Sequence, residues 1–118
     1  MKKSIVIGLS AASIGFLIGN QQNKNLVKEP VSIITFTIKV PFEQWAEGFD
    51  SKEAKRLHKA NQIKPLFRGV STKNPTKVVV IHQSDPDSVD RILTENKEMI
   101  EAGGHIMKTT RISNWSFD

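Results

Sequence analysis

The order of secondary-structure elements constrains this chain most: residues 31–115 read strand, helix, strand, strand, helix, strand. Two successive βαβ halves of this kind are typical of a ferredoxin-like sandwich, in which two helices pack on one face of a four-stranded antiparallel sheet. The sequence therefore predicts an α+β fold with the order βαββαβ. Because many unrelated activities use this architecture, the order predicts a fold and leaves the function open.

The first half of this pattern shows two hydrophobic periods. Apolar residues alternate from Ser32 to Val40, which predicts a strand with one apolar face. Helical spacing follows Pro41 and places Trp45 on an inward face. A break is predicted near Gly48 to Ser51, with Asp50 as the cap of the continuing helical segment.

The second half is bounded by turn and cap residues. Residues 61–71 contain a proline and a glycine, which predicts an edge or bulged strand. Residues 77–83 are the most β-prone run, and their apolar continuity predicts burial on both faces. An acid–proline pair at residues 85–86 predicts a helix start, and the glycines at 103–104 predict its end. Residues 105–115 supply the last strand.

The second face of the predicted sheet needs a cover. Two helices on one side leave the other side bare, yet Ile33, Val79 and Ile81 are apolar residues expected to point there. A second copy stacked face to face, as in a dimeric α/β barrel, is the simplest cover. We therefore expect a homodimer.

An N-terminal leader is predicted ahead of this domain. Lys2 and Lys3 precede an apolar stretch that ends at Ile18, and the chain turns polar at Asn20. A charged and then apolar order is typical of an export signal. The stretch is short for a membrane span, which needs about twenty apolar residues. The lack of a small-residue cleavage pattern favours an uncleaved anchor over a removed signal.

Three regions follow from this interpretation. Residues 1–19 are predicted to be a hydrophobic signal or anchor segment, residues 20–30 a polar linker and residues 31–118 the ferredoxin-like domain. Membrane association through residues 4–19 is expected, and with it a membrane-anchored or exported location. A cytoplasmic location is the weaker alternative.

Charge and cysteine content exclude several functions. The formal net charge is +5, but residues 1–30 contain four lysines and one glutamate and so contribute +3 of this charge. The remainder has 13 basic and 11 acidic residues and no basic run interleaved with aromatics, which argues against nucleic-acid binding. The absence of cysteine excludes disulfides and thiolate zinc sites. No hydrolase, kinase or protease motif occurs, and no metal or cofactor is expected.

Candidate pocket residues are the polar and aromatic side chains that the predicted fold brings near the sheet. They are His82, Arg68, Trp45, Asp50, His58 and Trp115. In one interpretation the two tryptophans wall a cavity for a flat ligand, and in the other they fill the core. Arg68 either clamps a carboxylate or phosphate, or forms a salt bridge to Asp50 or across the dimer.

The three histidines are the residues most suited to acid–base or metal chemistry. His58, His82 and His105 each offer a ligand nitrogen, but their spacing matches no metal site. His82 ends an apolar strand, so we expect its ring at the rim of the sheet. The alternative to a functional role there is a hydrogen bond to a backbone carbonyl.

Several strings resemble a family of small cyanobacterial proteins of unknown function. They are PFEQWAEGFDS at residues 41–51, HKA at 58–60, IKPLFRGV at 63–70, VIHQ at 80–83 and ISNW at 112–115. At fold level the chain is similar to the dimeric α/β barrel superfamily, which includes antibiotic-biosynthesis and haem-degrading monooxygenases. The resemblance implies kinship and a fold, and it carries no assigned reaction.

Three functions stay open at this point. The first is a non-catalytic module, tethered or exported, that binds a small hydrophobic ligand or a protein partner. The second is a cofactor-independent monooxygenase or haem-handling enzyme, by analogy of fold, with its pocket lined by His82, Trp45, Asp50 and Arg68. The third is an assembly protein that dimerises to bring two leaders together at a membrane.

Overall fold

The computed structural model describes residues 29–116, of which Pro30–Trp115 form one compact unit. The predicted signal or anchor at residues 1–19 and most of the predicted linker lie outside the described residues.

The four strands form one antiparallel sheet in the order β2-β3-β1-β4. In chain order the elements are β1 (Val31–Ile38), α1 (Phe42–Phe49), α2 (Lys52–Ala60), β2 (Lys64–Val70), β3 (Lys77–Gln83), α3 (Pro86–Glu95), α4 (Lys97–Ala102) and β4 (His105–Trp115). The predicted ferredoxin-like βαββαβ sandwich is confirmed, with each helical segment of the pattern divided into two shorter helices.

The break in the first helical segment lies where it was predicted, but its cap is a different residue. Ser51 Oγ accepts a hydrogen bond from the Ala54 backbone N–H at 3.1 Å and so caps α2. Asp50, the predicted cap, instead forms an ion pair with Arg68. The break leaves Phe49 and His58 as neighbours, with ring centroids 4.9 Å apart.

The end of the second helical segment is also as predicted. Helix α4 ends at Ala102, and Gly104 adopts a φ of 109° in the turn into β4. A Cβ at this position would lie 2.5 Å from Cγ2 of Val40, so both the backbone angle and the packing require glycine.

The face of the sheet that the helices cover, here called the inner face, holds the core. Ile34, Phe36 and Ile38 of β1 and the alternate residues Val78 and Val80 of β3 are almost fully buried there. Helices α1 and α3 complete this core with residues such as Trp45, Val89 and Ile92. The alternation along β1 thus follows the predicted strand period.

The opposite face of the sheet, here called the open face, is largely apolar and only partly covered. Strand register places on it the apolar residues Val31, Ile33, Phe67, Val79, Ile81 and Trp115, together with Thr35, Arg111 and Ser113. Phe67 is 69% exposed and Trp115 is 53% exposed. The prediction that β3 is buried on both faces is wrong for the single chain, because no helix between residues 29 and 116 packs on this side.

Strand β2 lies at the edge of the sheet, and its pairing with β3 shifts between Pro65 and Phe67. The predicted edge or bulged strand is therefore confirmed. Proline is tolerated here because an edge strand leaves half of its backbone donors unpaired.

The predicted membrane-anchored or exported location is corrected by the lengths of the described helices. The longest, α3, has 10 residues, whereas a membrane span needs about 20. None of the helices between residues 29 and 116 is long and apolar enough to cross a bilayer. Residues 4–19, on which that prediction depended, lie outside the described part of the chain.

Candidate functional site

A cavity of about 330 Å³ lies between the helices and the inner face of the sheet. This volume is at the lower end of the range for small-molecule sites, roughly 300 to 1,000 Å³. Its walls are mainly aliphatic and aromatic side chains, among them Phe36, Trp45, Phe49, Leu57, Val80 and Ile92. Each element contributes through the face that its hydrophobic period turns inward, so the cavity follows from the fold.

Aromatic rings form one wall of this cavity. Trp45 packs at tilted angles against Phe36, with centroids 5.5 Å apart, and against Phe49, with centroids 5.1 Å apart. Tilted ring pairs at these distances attract each other through their quadrupoles. Trp45 is 7% exposed, so it both lines the cavity and belongs to the core.

All three histidines line the cavity, although they come from three different elements. His58 belongs to α2, His82 to β3 and His105 to β4. The register explains the two strand residues: His82 continues the inward row of Val78 and Val80, and His105 pairs with the buried Ile38.

His105 has its polar requirement met within the protein. Its Nε2 lies 2.7 Å from Thr110 Oγ1, and its ring stacks on Phe36 with centroids 3.8 Å apart and planes 7° apart. Burial lowers the pKa of His105 to about 4, so the ring is neutral at pH 7. This histidine therefore acts as part of the packed wall.

His82 differs from His105 in having no partner for either ring nitrogen. Among the buried side-chain polar atoms of residues 29–116, those without a hydrogen-bond partner are His82 Nδ1, His82 Nε2 and Ser84 Oγ. Leaving such a group unpaired costs about 1–3 kcal/mol. The predicted position at the rim is wrong, as is the hydrogen bond to a carbonyl, because the ring points inward and is 6% exposed.

The surroundings of His82 keep it neutral. Its ring meets His58 edge-on with centroids 5.3 Å apart, and its plane is 19° from that of Phe49, with centroids 6.2 Å apart. Desolvation by burial, and then the charge on His58, lower the pKa of His82 to about 4. Burial also lowers the pKa of His58. At pH 7 the cavity thus presents imidazoles that accept and donate hydrogen bonds without carrying charge.

The remaining candidates lie outside the cavity wall. Arg68 and Asp50 form an ion pair with each other, one of the alternatives predicted for Arg68. The Arg68 guanidinium also lies over the ring of Phe49, 5.7 Å from its centroid. Trp115 is at the end of β4 on the open face, where its Nε1 donates to Ser113 Oγ. The structure thus groups His82, His58 and Trp45 and separates Trp115 from them.

The predicted pocket set omits two wall residues: His105, which the sequence offers only as a candidate for acid–base or metal chemistry, and Phe49. Their contacts place them in the wall, because Thr110 and Phe36 surround His105 and Phe49 contacts both of the other histidines. The helical spacing of Phe49 behind Trp45 was the available signal. Among residues 29–116, no group of three or more His, Cys, Asp or Glu side chains is arranged to hold a metal ion.

The fold and the cavity together define an α+β ferredoxin-like domain with an apolar internal site. Residues 29–117 match the model of a family described as a domain of unknown function, DUF3764. The chain belongs to this family. A cyanobacterial origin, which the resemblance implied, stays a prediction. No curated protein matches the chain.

Two solved structures share the fold at low sequence identity. A monooxygenase from the gene ActVA-Orf6 of Streptomyces coelicolor, in complex with nanaomycin D, has a TM-score of 0.53 and 16% identity, covering 83% of this chain and 94% of that chain. A mutant of SnoaB, a cofactor-independent oxygenase from Streptomyces nogalater, has a TM-score of 0.47 and 14% identity, covering 76% and 93%. At such identities the likeness to the first shows the fold alone.

Proposed function

We propose that this domain binds a small, flat and largely apolar molecule between its helices and the inner face of the sheet, and that it does so as a homodimer. The observation that carries the proposal is the cavity of about 330 Å³ with its apolar lining and neutral histidines. Protein interiors pack to nearly crystalline density, so an apolar space of this size forfeits contacts that an occupant restores.

The size of the cavity indicates the size of the ligand. An engineered cavity of about 150 Å³ in another protein accommodates benzene. A space roughly twice as large suits two or three fused rings, and the aromatic wall at Trp45 and Phe49 favours a flat one. A porphyrin, with four linked pyrrole rings, is much larger than this, which argues against the haem-handling alternative.

The open face supports the dimer. Phe67 and Trp115 are more than half exposed there, and Ile33, Val79 and Ile81 lie between them in register. A twofold axis would place this apolar surface against its own copy and remove both from water at once. Packing of one sheet against the other also fits the sequence of β3, because its outward residues Val79 and Ile81 are as apolar as its inward residues Val78 and Val80.

A second candidate function is a cofactor-independent oxygenase. Its supporting observation is a buried imidazole without partners in a fold shared with the ActVA-Orf6 monooxygenase. Such chemistry needs a base, and the lowered pKa of His82, about 4, makes the free imidazole a weak one. Binding requires only the neutral ring, so we place it first.

The test of ligand binding uses the two tryptophans of the chain as internal reporters. In an NMR titration with naphthalene, the indole N–H resonance of Trp45 in the cavity wall should shift and saturate. The resonance of Trp115, on the open face, should stay in place. We expect a dissociation constant on the order of 100 μM for a ligand of this size. An unmoved Trp45 resonance, or equal unsaturated shifts of both, would contradict the proposal.

A further inference from the structure

The ring nitrogens of His82 are the starting point for identifying the ligand. Both are buried in a ring that packs against Phe49 and His58, and neither has a hydrogen-bond partner among the described residues. His105 lines the same cavity with the same side chain, yet its Nε2 meets Thr110 Oγ1 at 2.7 Å. The fold thus satisfies one cavity histidine internally, whereas His82 lines the space where the proposed ligand lies with neither ring nitrogen paired to a described group.

We infer that His82 is the hydrogen-bonding anchor of the cavity and selects ligands that carry a hydroxyl group on a flat apolar body, as phenols and naphthols do. This inference rests on the proposed binding function. It adds the chemical class of the ligand and the residue that recognises it.

A hydroxyl group fits His82 better than other polar groups do. A neutral imidazole has one N–H donor and one acceptor nitrogen, and a hydroxyl group can pair with either because it both donates and accepts. A carbonyl or ether oxygen could meet only the N–H. The hydroxyl therefore satisfies the site in either tautomer of His82.

The charges around the cavity argue against an ionic ligand. Its wall contains no lysine or arginine among the described lining residues, so a carboxylate would be buried without a counter-ion. The one carboxylate in the lining, Glu53, is exposed and already paired with Arg56 at 2.6 Å. A buried ammonium group would likewise lack a free partner. Neutral ligands are thus the class that the site accepts.

The experiment compares three ligands of one shape: naphthalene, 1-naphthol and 1-naphthoate. The wild-type domain should bind 1-naphthol about tenfold more tightly than naphthalene, the effect of one buried hydrogen bond. It should bind 1-naphthoate more weakly than either. Simple partition into an apolar space would give the opposite order for naphthol and naphthalene, because the hydroxyl group favours water.

Three variants show whether His82 causes the preference. His82→Leu keeps the volume and removes both nitrogens, so the preference for 1-naphthol should disappear while naphthalene still binds. His82→Gln retains a donor and an acceptor and should recover part of it. His105→Leu changes the same cavity wall but removes an imidazole whose nitrogen is already paired, so the affinities for naphthalene and 1-naphthol should fall together and their ratio should stay at the wild-type value.

Thermal unfolding without ligand gives an independent readout. His82→Leu removes an unpaired buried polar group, so its Tm should rise by about 4–8 °C for a domain of this size. A lower Tm would show that His82 serves the fold and would overturn the inference.

The possible failures are distinguishable. Equal affinities of the wild-type domain for naphthalene and 1-naphthol would overturn the role of His82 and leave the binding function standing. A preference that survives in His82→Leu would overturn it as well. If none of the three ligands bound, the proposed function itself would fail, and the inference with it.

Discussion

The two faces of the sheet meet different environments although the same strands build them. On β3, Val78, Val80 and His82 point toward the helices and are buried, while Val79 and Ile81 point to the open face and are half-buried. The inner face is completed by helices of the same chain, which leave a cavity with histidines in its wall. The open face has no such cover between residues 29 and 116. One strand thus contributes to the cavity with one set of side chains and to the open face with the other, because successive side chains alternate.

The largest expected effect concerns the open face. Phe67→Glu places a charge in the proposed contact, where Phe67 is 69% exposed in the single chain. We expect the dimer dissociation constant to rise by about a hundredfold or more, since a buried unpaired charge removes a central apolar contact. Sedimentation velocity at micromolar concentration would show the shift to monomer.

Met99→Glu is the matched control, because Met99 is also an exposed apolar residue but lies on the helical side. It should leave the dimer intact. A wild-type chain that sediments as a monomer would remove the dimer from the proposal and leave the cavity unaffected.

The second largest effect is the loss of stability when acid protonates the buried histidines of the inner face. The folded-state pKa values of His82 and His105 are about 4, below the usual 6.5, so the unfolded chain binds more protons between these values. The free energy of unfolding is therefore complete above pH 6.5 and falls as the pH drops toward 4. Between pH 7 and pH 5 the loss should be about 2 kcal/mol for each of these histidines.

Urea denaturation at fixed protein concentration measures this loss, in a range where carboxylates with ordinary pKa values stay ionised. His82→Leu has one buried histidine fewer, so its free energy of unfolding should fall by about 2 kcal/mol less than that of the wild-type chain between pH 7 and pH 5. A free energy of unfolding that stays constant from pH 7 to pH 5 would show that these rings are not desolvated.

A smaller effect on ligand binding is expected from two substitutions in α2, one in the cavity wall and one at the surface. Ala54→Leu extends a side chain into the cavity wall, whereas Ala60→Leu adds the same atoms at the exposed end of α2. We expect the first to weaken naphthalene binding about tenfold by occupying the space, and the second to leave binding unchanged. Equal affinities of the two variants, measured by the NMR titration, would place the ligand elsewhere.

The smallest effect is expected where Arg68 and Asp50 pair outside the cavity. Their side chains are 32% and 53% exposed, so solvent screens the pair. Arg68→Ala should lower the free energy of unfolding by less than about 1 kcal/mol and leave ligand affinity unchanged. A strong loss of binding would instead place Arg68 in the ligand site, as the sequence analysis had considered.

Much of the fold was predictable because it depends on local patterns. The alternation in β1, the break before α2 and the glycines after α4 each depend on a few neighbouring residues, and each is confirmed. The local sequence offers both Asp50 and Ser51 as the cap of α2, and only the structure shows that Ser51 takes this role while Asp50 pairs with a distant residue. Arg68 engages Asp50, and it lies on a strand that the sheet brings alongside.

The candidate site was predictable only in part. The chemistry of imidazole marks His82 and His58 as candidates from the sequence alone, but the sequence predicts a rim position for His82, whereas its ring is buried in the structure. The sequence predicts that Trp115 and Trp45 share a pocket, but register places Trp115 on the opposite face. Which face a residue occupies depends on the pairing of whole strands, and a shift of one residue reverses it.

By itself the sequence determined the order of elements, the apolar character of both sheet faces and the residue types available for chemistry. Tertiary structure alone decided that three histidines share one cavity, that Thr110 satisfies His105 and that the His82 nitrogens have no hydrogen-bond partner among residues 29–116. The physical reason is that the spacing of apolar residues, which predicts strands and helices, depends only on residues that are neighbours in the sequence. Burial and hydrogen-bond satisfaction depend on side chains that folding brings together from distant parts of the chain.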